Sequence, residues 1–468
     1  MTAIDRASRP ATDAANIDRG GETAQDAVGR VLELVRSRAS GAETEVYAKV
    51  GASSLTRFAN SRIHQNVAEE ISHVSLRVCL DGRVAGSRLD GPLDADALGR
   101  LVDGVLESAH IRSIDPDWPG LAPPATAPDV EHWDEETATA APDERARRVA
   151  DFVRAARGLE TAGFCASESQ VLAFANSAGQ SLLGRSTSAT IDGIARTPTS
   201  DGSGRASSVA IRDIDGRSVG ETAARKASES ADASDLVPGR YEVVLEPRPV
   251  ADLLQFVFIY GLNGLAVAEG RSFARIGEAQ LDRSVTIVDD ATDPGTTGLA
   301  FDIEGTPRER LEVVAGGVTR AVLNTRRTAK QMGGGAASTG AAIEDAVSWG
   351  GLPLNPGLIA GDRSVDELIG SVERGVLVTD FWYTRVLDPR TLVVTGLTRN
   401  GVWLIEGGRI VRPVTNLRFT QSYAEALGPG LVRGIGRDRA LIPAGFEGTY
   451  LVPAVHLGSW NFTGGARG

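Results

Sequence analysis

Asp302 and Glu304 stand one residue apart in the stretch Asp302-Ile-Glu-Gly-Thr306. On a strand both side chains would project from one face, and two neighbouring carboxylates can divide the work of acid and base. The pattern is equally suited to a polar cluster that maintains the fold, and Asp289-Asp290 reads as a strand-end turn. The five histidines, His64, His73, His110, His132 and His456, include no pair two or three residues apart that could share a metal. His64 and His73 could approach across a hairpin, although a sheet-face role is the simpler reading. The run Met332-Gly-Gly-Gly-Ala-Ala-Ser-Thr-Gly340 lacks the Gly-Lys-Ser/Thr of a phosphate loop and reads as a flexible connection. Cys79 and Cys165 are the only cysteines, too few for a disulfide framework and consistent with buried thiols in a reducing compartment. There is no Gly-x-Ser-x-Gly elbow.

The elements that must position these residues fall into three groups. Residues 1–21 are rich in Ala, Asp, Arg and Thr, lack an apolar core and read as a disordered tail. Residues 22–112 read as an N-terminal α+β domain. Here helices over 22–38 and 94–110 flank short strands, with Asp81-Gly82 as a two-residue hairpin turn. Val74, Leu76, Val78 and Leu80 share one strand face, which puts Cys79 on the other. Residues 140–232 read as a middle α+β domain, and 239–468 as a β-rich domain of antiparallel or barrel-like form, with turns at Gly316-Gly317, Asn400-Gly401 and Gly407-Gly408. The fold class is therefore α+β. Between Pro249 and Asn263 the sequence Asp252-Leu-Leu-Gln-Phe-Val-Phe-Ile-Tyr-Gly-Leu-Asn263 is apolar almost all round, as in a buried helix.

The order of these C-terminal segments resembles the TldD/PmbA (TldE) family of metallopeptidase-related proteins, also called modulators of DNA gyrase. The likeness rests on the buried helix, Asp302-Ile-Glu-Gly-Thr306, Asn324-Thr-Arg326, Ser338-Thr-Gly340 and the closing strand that begins near Val452. The active branch carries zinc on a His-Glu-x-x-x-His of this helix, with the glutamate as base. This chain has Gln255 and Phe256 in place of His-Glu, Tyr260 in place of the second histidine, and Asn263 where a further acid is usual. The third ligand of active members, a cysteine upstream of the closing strand, is also missing, because residues 422–451 hold no cysteine. The resemblance thus points to the PmbA/TldE branch, with no catalytic and no metal-binding residue in this chain. It makes Asn263, Asp302, Glu304 and Thr306 the substrate-groove candidates.

A net charge of −12 and a pI near 5.1 argue against direct nucleic-acid binding. No stretch approaches the ~20 apolar residues of a membrane span, and a cytoplasmic protein is expected. What the resemblance implies is a non-catalytic subunit that pairs with a TldD-like zinc metallopeptidase, the zinc residing in the partner. The pair would act on small or unfolded peptides, including precursors of peptide or natural-product maturation. A stand-alone homodimer that binds peptides without cutting them is the alternative. A third reading is an enzyme using non-metal chemistry near Tyr260, Asp302 and Glu304.

Overall fold

A computed structural model describes residues 14–344, 346–443 and 448–465. Six long strands, β1 (Glu43–Ala59), β2 (Arg62–Leu80), β3 (Arg83–Asp90), β4 (Glu160–Asn176), β5 (Ser181–Arg196) and β6 (Asp201–Ser208), form one antiparallel sheet in the order β3-β2-β1-β4-β5-β6. The β1–β4 ladder, from Glu45↔Asn176 to Phe58↔Gly163, joins strands from both of the expected N-terminal units into this sheet. The short strands read from the sequence merge into continuous β1 and β2. Asp81 and Gly82 take φ of 51° and 76°, as the two-residue turn between β2 and β3 requires.

One face of the sheet is covered by helices. Asp94 caps the helix Ala95–Ile111 by accepting from the Ala97 N–H at 2.8 Å, and Leu98, Val102 and Val105 pack on Val74, Leu76 and Val78. The helix Ala14–Arg38 adds Val28, Val31 and Val35 to that core. It also replaces part of the expected disordered tail: residues 14–21 are helical, and residues 1–13 lie outside the described residues. Phe152 and Ala223, from Pro142–Ala155 and Gly216–Glu229, close the same face over Phe58, Cys165 and Ile191. The opposite face, carrying Glu45, Tyr47 and Phe174, meets the C-terminal region through Phe301.

The C-terminal region is a thirteen-stranded sheet and not a barrel; its main path ends at Val318–Thr319 on one side and Arg409–Pro413 on the other. The hub is the strand Thr449–Gly465. It pairs antiparallel with Gly239–Leu245, Leu417–Ser422 and Val432–Pro443, and parallel with Pro356–Leu358. Gly239–Leu245 also runs parallel to Arg374–Val378, so the sheet is mixed where an antiparallel one was expected. Parallel neighbours need long crossovers, and the segment from Pro247 to Asn263 lies on one of them. Pro247 and Pro249 stop the first strand and also open a helix, Pro247–Phe256. The expected continuous helix then widens into a π-helical turn, Val257–Gly261, closed by Leu262 N–H on Val257 O at 2.8 Å. A Cβ on Gly261 would lie 2.2 Å from the Phe273 ring, so the turn requires glycine there.

Candidate functional site

The helix Pro247–Phe256 is sunk into the core, with Gln255 only 4% and Phe256 7% exposed. Phe256 stacks on Tyr260 (centroids 5.8 Å apart, planes at 22°) and meets Tyr423 edge-on at 5.9 Å. Tyr423 in turn packs 5.5 Å from Trp460 of the hub strand. Aromatic rings arranged this way contribute beyond the area they bury. Asp252, the one acid on this helix, is consumed internally: it accepts from Thr384 Oγ1 at 2.9 Å and from the Tyr423 hydroxyl at 3.3 Å. Burial pushes its pKa up to about 6 against the opposing pull of Arg248. Burial also raises the half-buried Tyr260 phenol, against Arg385 and Arg271.

Zinc needs three or four N, S or O donors converging at about 2.0–2.3 Å. Phe256 offers none, Gln255 offers only a neutral amide, burial keeps the Tyr260 phenol protonated, and Asp252 is hydrogen-bonded away. Among the described residues no group of three or more His, Cys, Asp or Glu is placed to hold a metal ion. The residues of this helix do not fit zinc, and no chemical step runs through one here.

The second region is the turn that carries Asp302 and Glu304. It is not the expected strand with both acids on one face. Asp302 N–H bonds Thr306 O at 3.1 Å, and Gly305 sits at φ 72°, closing a tight turn. The Asp302 carboxylate is its organiser, accepting from the N–H groups of Glu304 (3.0 Å), Thr306 (2.9 Å) and Ala342 (2.9 Å). Glu304 points the other way, into the face of the N-terminal sheet. There it accepts from Arg77 of β2 at 2.9 Å and from the Arg326 N–H at 2.9 Å. Arg77 also pairs with Glu45 of β1. One guanidinium therefore serves two buried carboxylates, with Asp302 close behind them. Desolvation raises Glu45 to about 7 in spite of Arg77. Asp302 also rises to about 7, through desolvation and then the neighbouring Glu304.

The other segments singled out in the sequence converge on this turn. Thr306 lies beside Ser338, whose hydroxyl reaches Thr306 Oγ1 at 3.4 Å, and Thr339 exchanges two 2.9 Å bonds with the Asn324 backbone. Asn263 is 1% exposed and caps the helix Gly264–Ala268, accepting from Leu265 N–H at 2.9 Å while its amide donates to Trp349 O at 2.7 Å. Asn263, Asp302 and Glu304 are thus engaged with backbone or Arg77, while Thr306 is only partly buried. The glycines of the loop, Gly333 to Gly335, all take positive φ, and Gly333 ends the helix Arg326–Met332.

Sequence reasoning missed Glu45 and Arg77, which complete the acid cluster. Their signal was present. Arg77 lies on the strand face opposite Val74, Leu76 and Val78, where a buried charge needs a partner. That partner, Glu304, is 227 residues away in the chain. His64 and His73 do not meet across a hairpin, since both lie on β2. Instead His73 is buried with Nε2 3.4 Å from Glu344 Oε1, while Tyr47 donates to the same oxygen at 3.1 Å.

Residues 238–464 match the family model described as the PmbA/TldA metallopeptidase C-terminal domain. A protein named Metalloprotease from Methanothermobacter thermautotrophicus is 29% identical over 233 residues, 48% of each chain. The Metalloprotease TldD homolog of Buchnera aphidicola is 27% identical over 210 residues, 44% of this chain and 43% of its own length. The chain thus matches about half the length of these curated relatives. In structure it is similar to TldE from Thermococcus kodakarensis, with a TM-score of 0.84 and 17% identity, over 94% of this chain and 100% of that one. At that identity the likeness is one of fold.

Proposed function

Starting from the fact that the chain belongs to the TldD/PmbA (TldE) family, which is metallopeptidase-related, we propose that it is the non-catalytic, TldE-like member of a two-chain peptidase. The zinc and its ligands belong to a TldD-like partner that cuts small or unfolded peptides, among them precursors in peptide or natural-product maturation. The observation that carries this reading is Phe256. At the position where the active branch places its base, this chain has a ring packed between Tyr260 and Tyr423.

The test is cleavage of an unfolded peptide by this chain alone, by the TldD-like protein encoded nearest to it, and by the two co-expressed. Cleavage by the pair that exceeds either chain alone supports the reading. Chelator-sensitive cleavage by this chain alone overturns it. Failure to associate, with a stable homodimer in its place, would favour the peptide-binding homodimer.

A further inference from the structure

A cavity of about 1100 Å³ opens beside the outer edge of β5, walled by Leu183, Arg185, Trp133, Val130, Leu299 and Phe301. In an antiparallel sheet each strand presents its backbone groups alternately to its two neighbours. Along β5 the Thr187 N–H points away from β4 and donates to His132 O at 2.8 Å. Residues 189–196 pair on that same outer side with β6. By this alternation the N–H and C=O groups of Leu183 and Arg185 also face outward. Among the described residues none pairs with them.

Residues 125–132 run alongside this stretch, fixed at one end by Ala125 N–H on Gln180 Oε1 at 3.0 Å and at the other by His132 O on Thr187. They form no ladder with β5 in between. Pro128 brings no N–H to donate, so this segment is a poor strand partner. Residues 127–131 of it line the cavity opposite the edge. Leu299 and Phe301 give it one apolar wall, with the Phe301 ring 2.7 Å from where a Cβ on Gly184 would lie, while Asp129, Glu131, Asp134 and Asp213 line it elsewhere. At its rim the Arg185 guanidinium stacks 4.9 Å over Trp133 and has no carboxylate partner among the described residues.

We propose that this cavity binds an extended peptide, which adds to the sheet as the missing neighbour of β5 at Leu183 and Arg185. Backbone pairing makes recognition tolerant of sequence, with Leu299 and Phe301 favouring an apolar side chain. At about 3.3 Å per residue, a peptide of about five residues spans the open edge. This goes beyond the subunit reading by giving the chain a ligand of its own. That reading is decided by cleavage in the pair, so it survives if this site fails.

Hydrogen exchange on the full chain tests the site directly, with an N-acetylated, C-amidated Thr-Val-Thr-Val-Glu-Thr peptide as probe. The expected result is exchange at the Leu183 and Arg185 amides slowed about tenfold or more, with Leu182 and Gly184, which already face β4, nearly unchanged. No slowing at millimolar peptide overturns the proposal. So does equal slowing by the same peptide N-methylated at every amide, which has no N–H left to donate to the ladder. Leu183→Pro, a change edge strands accept, is expected to weaken binding at least about tenfold with the circular dichroism unchanged; undiminished binding contradicts the site. Should that variant not fold, the N-methylated peptide decides alone.

Discussion

The helix bearing Gln255 and Phe256 and the turn bearing Asp302 and Glu304 are equally buried, yet they are built on opposite principles. The helix buries a packed set of rings, Phe256 against Tyr260 and Tyr423, and its one acid, Asp252, is bonded inward. The turn keeps two carboxylates buried, Asp302 on backbone N–H groups and Glu304 on Arg77, borrowed from the N-terminal sheet. An apolar region of this kind resists reversal residue by residue. A charged one depends on a single partner and on pH.

The contrast is sharpest at Arg77. Arg77→Met should cost about 3–5 kcal/mol, because it leaves Glu45 and Glu304 buried without a counter-ion; urea unfolding measures it. If the loss is below about 1 kcal/mol, the junction is not charge-dependent. In the other region Phe256→Ala should cost about 3 kcal/mol through the cavity left between Tyr260 and Tyr423. That loss should show no pH dependence, unlike the Arg77 loss.

A third effect separates the regions by pH. Glu45 and Asp302 titrate near 7 when folded, above their ordinary values of 4.5 and 3.8. The folded state therefore binds more protons between about pH 4 and 7. The stability contributed by keeping these groups protonated is lost as pH rises through that window. Relative to Glu45→Gln, the wild-type chain should lose on the order of 2 kcal/mol between about pH 5 and 8. Parallel stability curves for the two proteins would contradict the raised pKa. The smallest expected effect is Asn263→Ala, about 1–2 kcal/mol from a lost helix cap and the bond to Trp349 O. The Asn263 side chain is already bonded to Leu265 N–H and Trp349 O, so peptide affinity is expected to stay unchanged; a drop of about tenfold or more would return this residue to the substrate groove.

Much of this was legible in the sequence where the signal is local. The Asp81-Gly82 turn and the periodic helix Ala95–Ile111 each depend on neighbours within a few turns of chain. What escaped depends on pairings between distant segments. The β1–β4 ladder that unites the first sheet joins residues more than a hundred positions apart, and nothing in either strand announces its partner. Asp302 and Glu304 alternate as strand residues would. The turn exists because the Asp302 carboxylate captures the N–H groups of Glu304, Thr306 and Ala342, a preference that competes with strand pairing only once Ala342 is near. The π-helical turn after Phe256 likewise reflects packing against Phe273, which the apolar run alone does not encode.

Whether this chain has given up metal chemistry is decided by zinc content. It should be measured by elemental mass spectrometry, after dialysis against zinc, on the purified chain and on the triple variant Gln255→His, Phe256→Glu, Tyr260→His. Neither protein is expected to hold stoichiometric zinc or to cleave peptides, because residues 422–451 supply no cysteine as third ligand and the introduced groups enter an aromatic core. One zinc per chain in the wild type, or zinc-dependent cleavage by the triple variant alone, would contradict that expectation.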